Sequence, residues 1–262
     1  MHKENHSFFF ISAVSPTAAI LTKEEYRHAS STLRISSDAF VYGTDGNGII
    51  YKCRFTEKTH QTGEVEIVET ASQKPLSPAV HVYIGLPDRE GFEEALVGLT
   101  ALGAARIVPL TCRYCQERWW EPWENRLERL QRKMIAAVKQ SRNPWLPVLF
   151  APQPFIPAVQ KACTQAGDQV AIHIATDPSG SALETAFTGA KRIGRIDCFI
   201  GPPGGFSPDE LEYFSLNNIP FVKIAHYRLR TELAAIVSCA EIVRHFISTT
   251  DRTAQSALPE VK

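Results

Sequence analysis

The segment Phe199-Ile200-Gly201-Pro202-Pro203-Gly204-Gly205-Phe206-Ser207-Pro208-Asp209-Glu210 runs from an apolar stretch, through three glycines, into a helix start. Asp197–Ile200 has the apolar content of a strand buried on both faces. Ser207 suits the N-cap of the following helix, and Pro208 suits its first helical position. Glycines at the carboxyl end of a strand let the backbone approach a ligand closely. Ligands of open α/β sheets bind at that edge. No Gly-Lys-Ser/Thr follows, so the loop is not a phosphate loop, and the glycine spacing differs from the dinucleotide fingerprint. By itself it reads equally as a tight structural turn and as a cofactor loop.

The same alternation extends outward. Val80–Leu86, Arg106–Leu110, Val148–Phe150, Val170–Ala175 and Phe221–Ile224 read as strands. Between and after them, Phe92–Leu102, Trp123–Gln140, Phe155–Ala166, Pro208–Asn217 and Glu232–Phe246 read as helices, with Gly103 as C-cap of the first. Alternating strands and helices predict an α/β layer fold with a mostly parallel sheet. Upstream the character changes. Phe8–Val14, Ala39–Tyr42, Ile49–Phe55 and Glu64–Val68 are β-branched or aromatic runs, with a short helix at Glu24–Leu33. Asp45-Gly46-Asn47-Gly48 is a hairpin turn signal, because glycine and asparagine tolerate positive φ. A calcium loop would need EF-hand spacing and a distal glutamate that are missing here. Residues 70–79 read as a linker. The expected domains are 1–72 and 73–247, followed by a polar, mobile tail at 248–262.

With 28 basic and 28 acidic residues among 262, the chain is no basic glove for nucleic acid, so any RNA contact needs locally clustered charge. Six scattered cysteines favour a reducing cytosol over a disulfide scaffold. No run approaches a membrane span, and Phe8-Phe9-Phe10-Ile11 is too short for a signal-peptide core. Cys112-Arg113-Tyr114-Cys115 has the spacing of half a zinc site or a redox pair. With no second such pair, two ordinary thiols are the default and no metal is expected. His81 and His173 lie in apolar strand runs and read as satisfied core histidines.

Two further segments carry possible chemistry. Ile224-Ala225-His226-Tyr227-Arg228-Leu229-Arg230-Thr231-Glu232-Leu233-Ala234 follows a strand and opens the last helix, with Thr231 as expected N-cap. Arg228 and Arg230 sit before a positive helix end, a placement that recruits an anion unless both arginines are simply solvated or paired. His226 is within reach of the same site. The long helix ends in Lys139-Gln140-Ser141-Arg142-Asn143-Pro144. Arg126, Arg129, Arg132, Lys133, Lys139 and Arg142 set six bases against Glu128, a stripe suited either to phosphate or to solvent.

Together these segments resemble the 16S rRNA uracil-N3 methyltransferase family. Its glutamine-serine-x-arginine element resembles Gln140-Ser141-Arg142, and its Ile-Gly-Pro-Glu-Gly-Gly loop resembles Ile200–Gly205. Its closing Arg-Ile-Leu-Arg-Thr-Glu-Thr-Ala element resembles the segment ending at Ala234. His28 with Thr32-Leu33-Arg34, and Asp45-Gly46, resemble N-terminal family features, so the resemblance covers about residues 20–247. It implies a PUA-like β-barrel followed by a trefoil-knotted α/β methyltransferase domain, S-adenosylmethionine as cofactor, and a homodimer acting on ribosomal RNA or the small subunit. The implied cofactor-binding residues are Ile174, Ala175, Thr176, Ile200, Gly201, Gly204, Gly205, Ile224, Leu229, Thr231 and Ala234. Arg230 and Arg142 are the expected catalytic residues. Arg34, Arg129, Lys133, Arg142 and Arg228 are the expected RNA contacts.

The chain departs from the family pattern. Gly98 and Ala101 stand where the family has lysine and glutamate, and Pro203 replaces the loop glutamate. Ala225, Tyr227 and Leu233 replace glycine, arginine and threonine, and the glutamine-serine-arginine element is one residue short. The resemblance implies cytoplasmic methylation of uracil N3 in 16S rRNA. The departures motivate the alternative, a divergent paralogue that binds RNA or ribosomes without methylating.

Overall fold

The computed structural model describes residues 4–36, 39–55, 63–115, 118–164, 170–190 and 192–250. The chain divides into two compact units. Among the described residues, one holds those up to Pro75 together with Ile135–Leu146; the other holds Leu76–Met134 and the residues from Pro147 to the end of α6.

The first unit is a closed barrel of five strands: β1 (Glu4–Ser15), β2 (Ala18–Leu21), β3 (Phe40–Thr44), β4 (Ile49–Phe55) and β5 (Glu64–Ser72). They run in the order β1-β2-β5-β4-β3, and a parallel pairing of β1 with β3 closes the ring. Closure matters because it leaves no exposed strand edge. Period-two patterning directs the pleat. In β4, Cys53 and Phe55 are buried while Lys52 and Arg54 alternate with them, and Phe9, Ile11, Leu21, Val41 and Val65 complete the core. β2 was not anticipated. Its four residues are too few for a propensity signal, and it is defined by its pairing with β1 and β5. β5 also extends to Ser72, so the interval before the next strand shrinks to residues 73–78.

Helix α1 (Lys23–Arg27) starts on Thr22, whose hydroxyl accepts from the Glu25 amide at 3.2 Å, and continues into a π turn at His28–Thr32. The Asp45–Gly48 hairpin turn is present: the Asn47 amide donates to Asp45 Oδ1 at 2.9 Å. Gly48 has φ +85°, and a Cβ there would lie 2.1 Å from the Trp145 ring. Only glycine meets both conditions. The Gly48 amide donates to Pro144 O, and the Leu146 amide to Gly46 O, each at 2.9 Å. A segment a hundred residues downstream is thereby stitched to the turn.

The second unit is a seven-stranded parallel sheet. Its strands are β6 (Ala79–Gly85), β7 (Arg106–Thr111), β8 (Val148–Leu149), β9 (Gln153–Pro154), β10 (Val170–Ala182), β11 (Ile193–Ile200) and β12 (Phe221–Lys223). The order is β12-β10-β11-β6-β7-β8, with β9 also on β7, and every pairing is parallel. Helices are α2 (Arg89–Ala101), α3 (Glu124–Ser141), α4 (Phe155–Thr164), α5 (Pro208–Leu216) and α6 (Thr231–Thr250); the last turns of α3 belong to the first unit. α2 and α6 pack on one face of the sheet. On the other, Phe155, Val159 and Phe214 of α4 and α5 meet Tyr83, Val108 and Phe199. Both faces are covered, which is why the central strands read as continuous apolar runs.

Asp197 is fully buried in β11. Its carboxylate lies 3.0 Å from His81 Nδ1, 2.9 Å from His173 Nδ1 and 3.1 Å from Arg195 Nε. His81 is thus a core residue, as its apolar setting indicated, and His173, partly buried, lies against the same carboxylate. α6 runs to Thr250, so the expected tail begins later than 248, and its remainder lies outside the described residues. The expected end of α4 at Ala166 likewise falls outside them, beyond Thr164. β10 continues past Ala175 to Ala182 and leads into an unanticipated 3-10 turn at Leu183–Phe187. That extension contains Pro178 and Gly180, which mask strand character in the sequence.

Candidate active site

The carboxyl ends of β6, β11 and β12 and the Thr176–Pro178 stretch of β10 converge on a cavity of about 730 Å³. That volume suits a small organic ligand. One wall is the glycine loop. The Gly205 amide donates to Pro202 O at 2.7 Å, closing a tight turn in which Gly205 takes φ +79°. Ser207 then caps α5 in a reciprocal box: its amide donates to Glu210 Oε2 at 2.7 Å, and its hydroxyl accepts from the Glu210 amide at 3.4 Å. This is the start expected from Ser207-Pro208.

The opposite wall is the loop from Lys223 to Glu232. Two hydrogen bonds tie it to the glycine loop: Thr231 Oγ1 donates to Gly201 O at 3.0 Å, and Arg228 Nη2 donates to Pro203 O at 2.9 Å. Here the expected N-cap is corrected. Thr231 is the first residue of α6, its hydroxyl is committed to the glycine loop, and the Arg230 carbonyl accepts the first helical bond from Ala234 at 2.8 Å. Thr231 therefore lies inside the first turn of α6, and Arg230 occupies the cap position.

Of the expected cofactor residues, Thr176, Ile200, Gly201, Gly205, Ile224, Leu229, Thr231 and Ala234 line the cavity. Ile174 and Ala175 do not: both are fully buried within β10, just before the chain reaches the cavity at Thr176. Gly204 also stands off the lining. A Cβ there would lie 2.7 Å from Tyr114 Cβ, so this glycine permits packing of the loop against the Cys112–Cys115 turn. The Arg113 amide fastens that turn to Glu210 Oε1 at 2.8 Å. Within the turn the Cys112 amide donates to Cys115 Sγ at 3.3 Å. The Cys112 thiol also bonds to Cys115, and despite burial this pulls Cys115 down to about 7. No group of three or more His, Cys, Asp or Glu side chains arranged to hold a metal occurs among the described residues.

Arg230 lines the cavity with its side chain 80% exposed, and its Nε lies 3.3 Å from Oε1 of the nearly buried Glu232. Arg228 lines it as well. Arg142 is not part of the lining. It is exposed, at the C-terminal end of α3 with φ +57°, within the barrel unit. Arg34 is exposed in that same unit with φ +51°. Arg129 and Lys133 are paired with a buried carboxylate. Arg129 Nε and Lys133 Nζ lie 2.7 and 2.9 Å from Glu93, whose side chain is 6% exposed. Burial alone would raise the Glu93 pKa, but these two cations hold it below the ordinary value. In this chain both cations pair with Glu93, which stands on α2 while they stand on α3.

Sequence reasoning did not single out Leu86-Pro87-Asp88, Asp177-Pro178, Lys223 or Glu232, all of which line the cavity. For Leu86-Pro87-Asp88 and Lys223 the signal existed: they lie at or just after the carboxyl end of a strand, the edge where such folds bind ligands, whereas Asp177-Pro178 lie within β10.

The family model described as an RNA methyltransferase domain matches residues 73–243, well over half of the chain. The chain belongs to the RNA methyltransferase domain family. This RNA methyltransferase domain chain is 28% identical, over 224 residues, to the ribosomal RNA small subunit methyltransferase E of Synechocystis sp., an alignment covering 85% of this chain and 71% of that protein. It is 24% identical over 241 residues to the protein of the same name from Mycobacterium bovis, covering 89% and 90%. Among solved structures, it resembles the Neisseria gonorrhoeae ribosomal RNA small subunit methyltransferase E bound to S-adenosyl methionine. The TM-score is 0.78 at 20% identity, over 92% of this chain and 98% of that one. A probable rRNA-methyltransferase from Porphyromonas gingivalis superposes with TM-score 0.76 at 23% identity, over 92% and 99%. The mixed α/β fold with a closed barrel and a parallel sheet is common to these neighbours.

Proposed function

We propose that this chain transfers a methyl group from S-adenosylmethionine to N3 of a uracil in the 16S RNA of the small ribosomal subunit. The observation that carries this reading is the cavity at the sheet's carboxyl edge, formed by the glycine loop and the Lys223–Glu232 loop. The names of the relatives support it.

The walls fit the cofactor. Ile200, Ile224, Leu229 and Ala234 offer apolar surface, and Thr176, Gly201, Gly205 and Thr231 offer backbone and hydroxyl groups. S-adenosylmethionine supplies a methyl group on a positively charged sulfur, a leaving group that needs no metal. The protein's share is alignment of the acceptor and electrostatic support of the charge it develops. Arg230 is placed for the second task. Arg228, Arg34 and Arg142 are exposed and are the proposed phosphate contacts, and the target base would leave its stack to enter.

The same reading includes a trefoil knot in the 73–247 domain, a barrel domain at 1–72 that adds RNA surface, a homodimer, and work in the cytoplasm. The test is methyl transfer from labelled cofactor to small subunits lacking the modification, with the product nucleoside identified by mass spectrometry. 3-Methyluridine is the expected product. RNA binding without transfer would instead establish the non-methylating paralogue.

A further inference from the structure

We infer that Glu232 is the general base that accepts the N3 proton of the target uracil, with Arg230 as its counter-charge; this rests on the uracil-N3 reading above. Neutral uracil carries a hydrogen on N3, so the nitrogen has no free pair for attack until that proton leaves. A base in hydrogen-bond reach of the acceptor is therefore required.

Three carboxylates line the cavity: Asp88, Asp177 and Glu232. Two are committed to local structure. Asp88 Oδ1 accepts the Gly91 amide at 2.8 Å as N-cap of α2. Asp177 Oδ1 accepts both the amide and the hydroxyl of Ser179, at 2.8 and 2.5 Å. Glu232 differs. Its side chain is 7% exposed, and among the described residues its polar partner is Arg230, at 3.3 Å from Oε1. Oε2 lies beside the first turn of α2, 3.1 Å from where a Cβ on Gly91 would be, and Asp88 Oδ1 is 3.3 Å from that same point. Arg230 and Asp88 are thus the charged groups beside it. Glycine at position 91 leaves the room that this carboxylate occupies.

The charge balance favours this pair. Before reaction the guanidinium of Arg230 is matched by the carboxylate of Glu232. In the step, the N3–H bond breaks and its proton forms an O–H bond on Glu232. The N–H electron pair stays on N3 and forms the new N3–carbon bond, while sulfur keeps the pair of the broken carbon–sulfur bond. As Glu232 becomes neutral, the negative charge moves to the uracil ring and Arg230 faces that charge instead. The developing anion thus meets a cation in a cavity where an unmatched negative charge would be costly, and loss of the proton from Glu232 to solvent afterwards restores the pair.

The experiment compares wild type, Glu232→Gln and Glu232→Asp for transfer to small-subunit RNA across a pH series, with calorimetric titration of S-adenosylhomocysteine alongside. For Glu232→Gln, unchanged affinity and a kcat lower by about 100-fold or more at neutral pH are expected. That deficit should close toward the alkaline range where uracil N3 ionises unaided. RNA carrying 5-fluorouridine at the target, with its more acidic N3, should recover more of the rate. Glu232→Asp should retain part of the activity. A Glu232→Gln variant as active as wild type would overturn the inference and leave the uracil-N3 reading standing. So would a deficit that is constant across pH and with both bases, since Glu232 would then only position Arg230. If Glu232→Gln fails to bind S-adenosylhomocysteine, the pH series on Glu232→Asp decides in the same way. Wild type methylating another atom, or none, removes the uracil-N3 reading and the inference with it.

Discussion

At Gly204 a single missing side chain lets the glycine loop lie against Tyr114, whose Cβ is 2.7 Å from where a Cβ would be built. Gly204→Val must push that loop away from the Cys112–Cys115 turn, and overpacking of this kind costs about 1–3 kcal/mol. Binding of S-adenosylhomocysteine, measured by calorimetry, should weaken accordingly; affinity equal to wild type would detach the loop from the site. Arg230 makes a different prediction, because it is exposed and holds no loop in place. Arg230→Ala should lower turnover about 100- to 1,000-fold while leaving cofactor affinity intact. Arg230→Lys should recover only part, since lysine keeps the charge but loses the planar fork. Full activity of Arg230→Ala would remove it from the catalytic group. Both residues stood out in the sequence, Gly204 by its motif and Arg230 by its place before a helix start. That Gly204 serves packing rather than lining was not legible, because Tyr114 lies ninety residues away in the chain.

Among the elements, β11 carries the most concentrated electrostatics. Burial alone would raise the Asp197 pKa, yet the hydrogen bonds from His173 and His81 and the charge of Arg195 hold it below the ordinary value. A carboxyl with a depressed folded-state pKa adds stability that is complete above its unfolded value, about 4, and is lost as pH falls through the lower folded value. Thermal unfolding of wild type should therefore show a loss of stability at acid pH that Asp197→Asn shares less. At neutral pH the variant should be less stable by about 3–5 kcal/mol, the cost of breaking a buried ion pair. A variant as stable as wild type would reduce the cluster to a neutral packing feature. The apolar runs of β6, β10 and β11 identified these strands, but two parallel pairings in register were needed to bring His81, His173 and Asp197 together. By contrast, β2 and β9 have no strand signature of their own; neighbours that were already strands define them.

For the whole molecule, the prediction concerns self-association. α6 bears a row of Leu233, Ile236, Val237, Ala240, Val243 and Phe246, of which Leu233 is 42% exposed, and Val97 on α2 is 40% exposed. Apolar surface of this kind, on two helices packed against each other, suits a second copy of the chain. Light scattering at micromolar concentration should give about twice the monomer mass, and Leu233→Glu should shift it toward the monomer. A strictly monomeric wild type would undercut both the interface and an active site completed across it.

Local chemistry made much of this protein readable from its sequence. Apolar runs marked the central strands, Ser207-Pro208 marked the start of α5, Gly103 marked the end of α2, and the glycine-rich Asp45–Gly48 segment marked a hairpin. Each of these signals acts within a few residues, through burial, capping or φ. Tertiary structure alone decided what lies across the chain from what. It placed Leu86-Pro87-Asp88 beside the two late loops, took the hydroxyl of Thr231 for Gly201, engaged Arg129 and Lys133 with Glu93, and set Glu232 beside Arg230 under the first turn of α2. Those pairings depend on strand order and helix packing, whose energy comes from contacts far apart in the sequence, and a charged side chain takes its partner only after that packing is set.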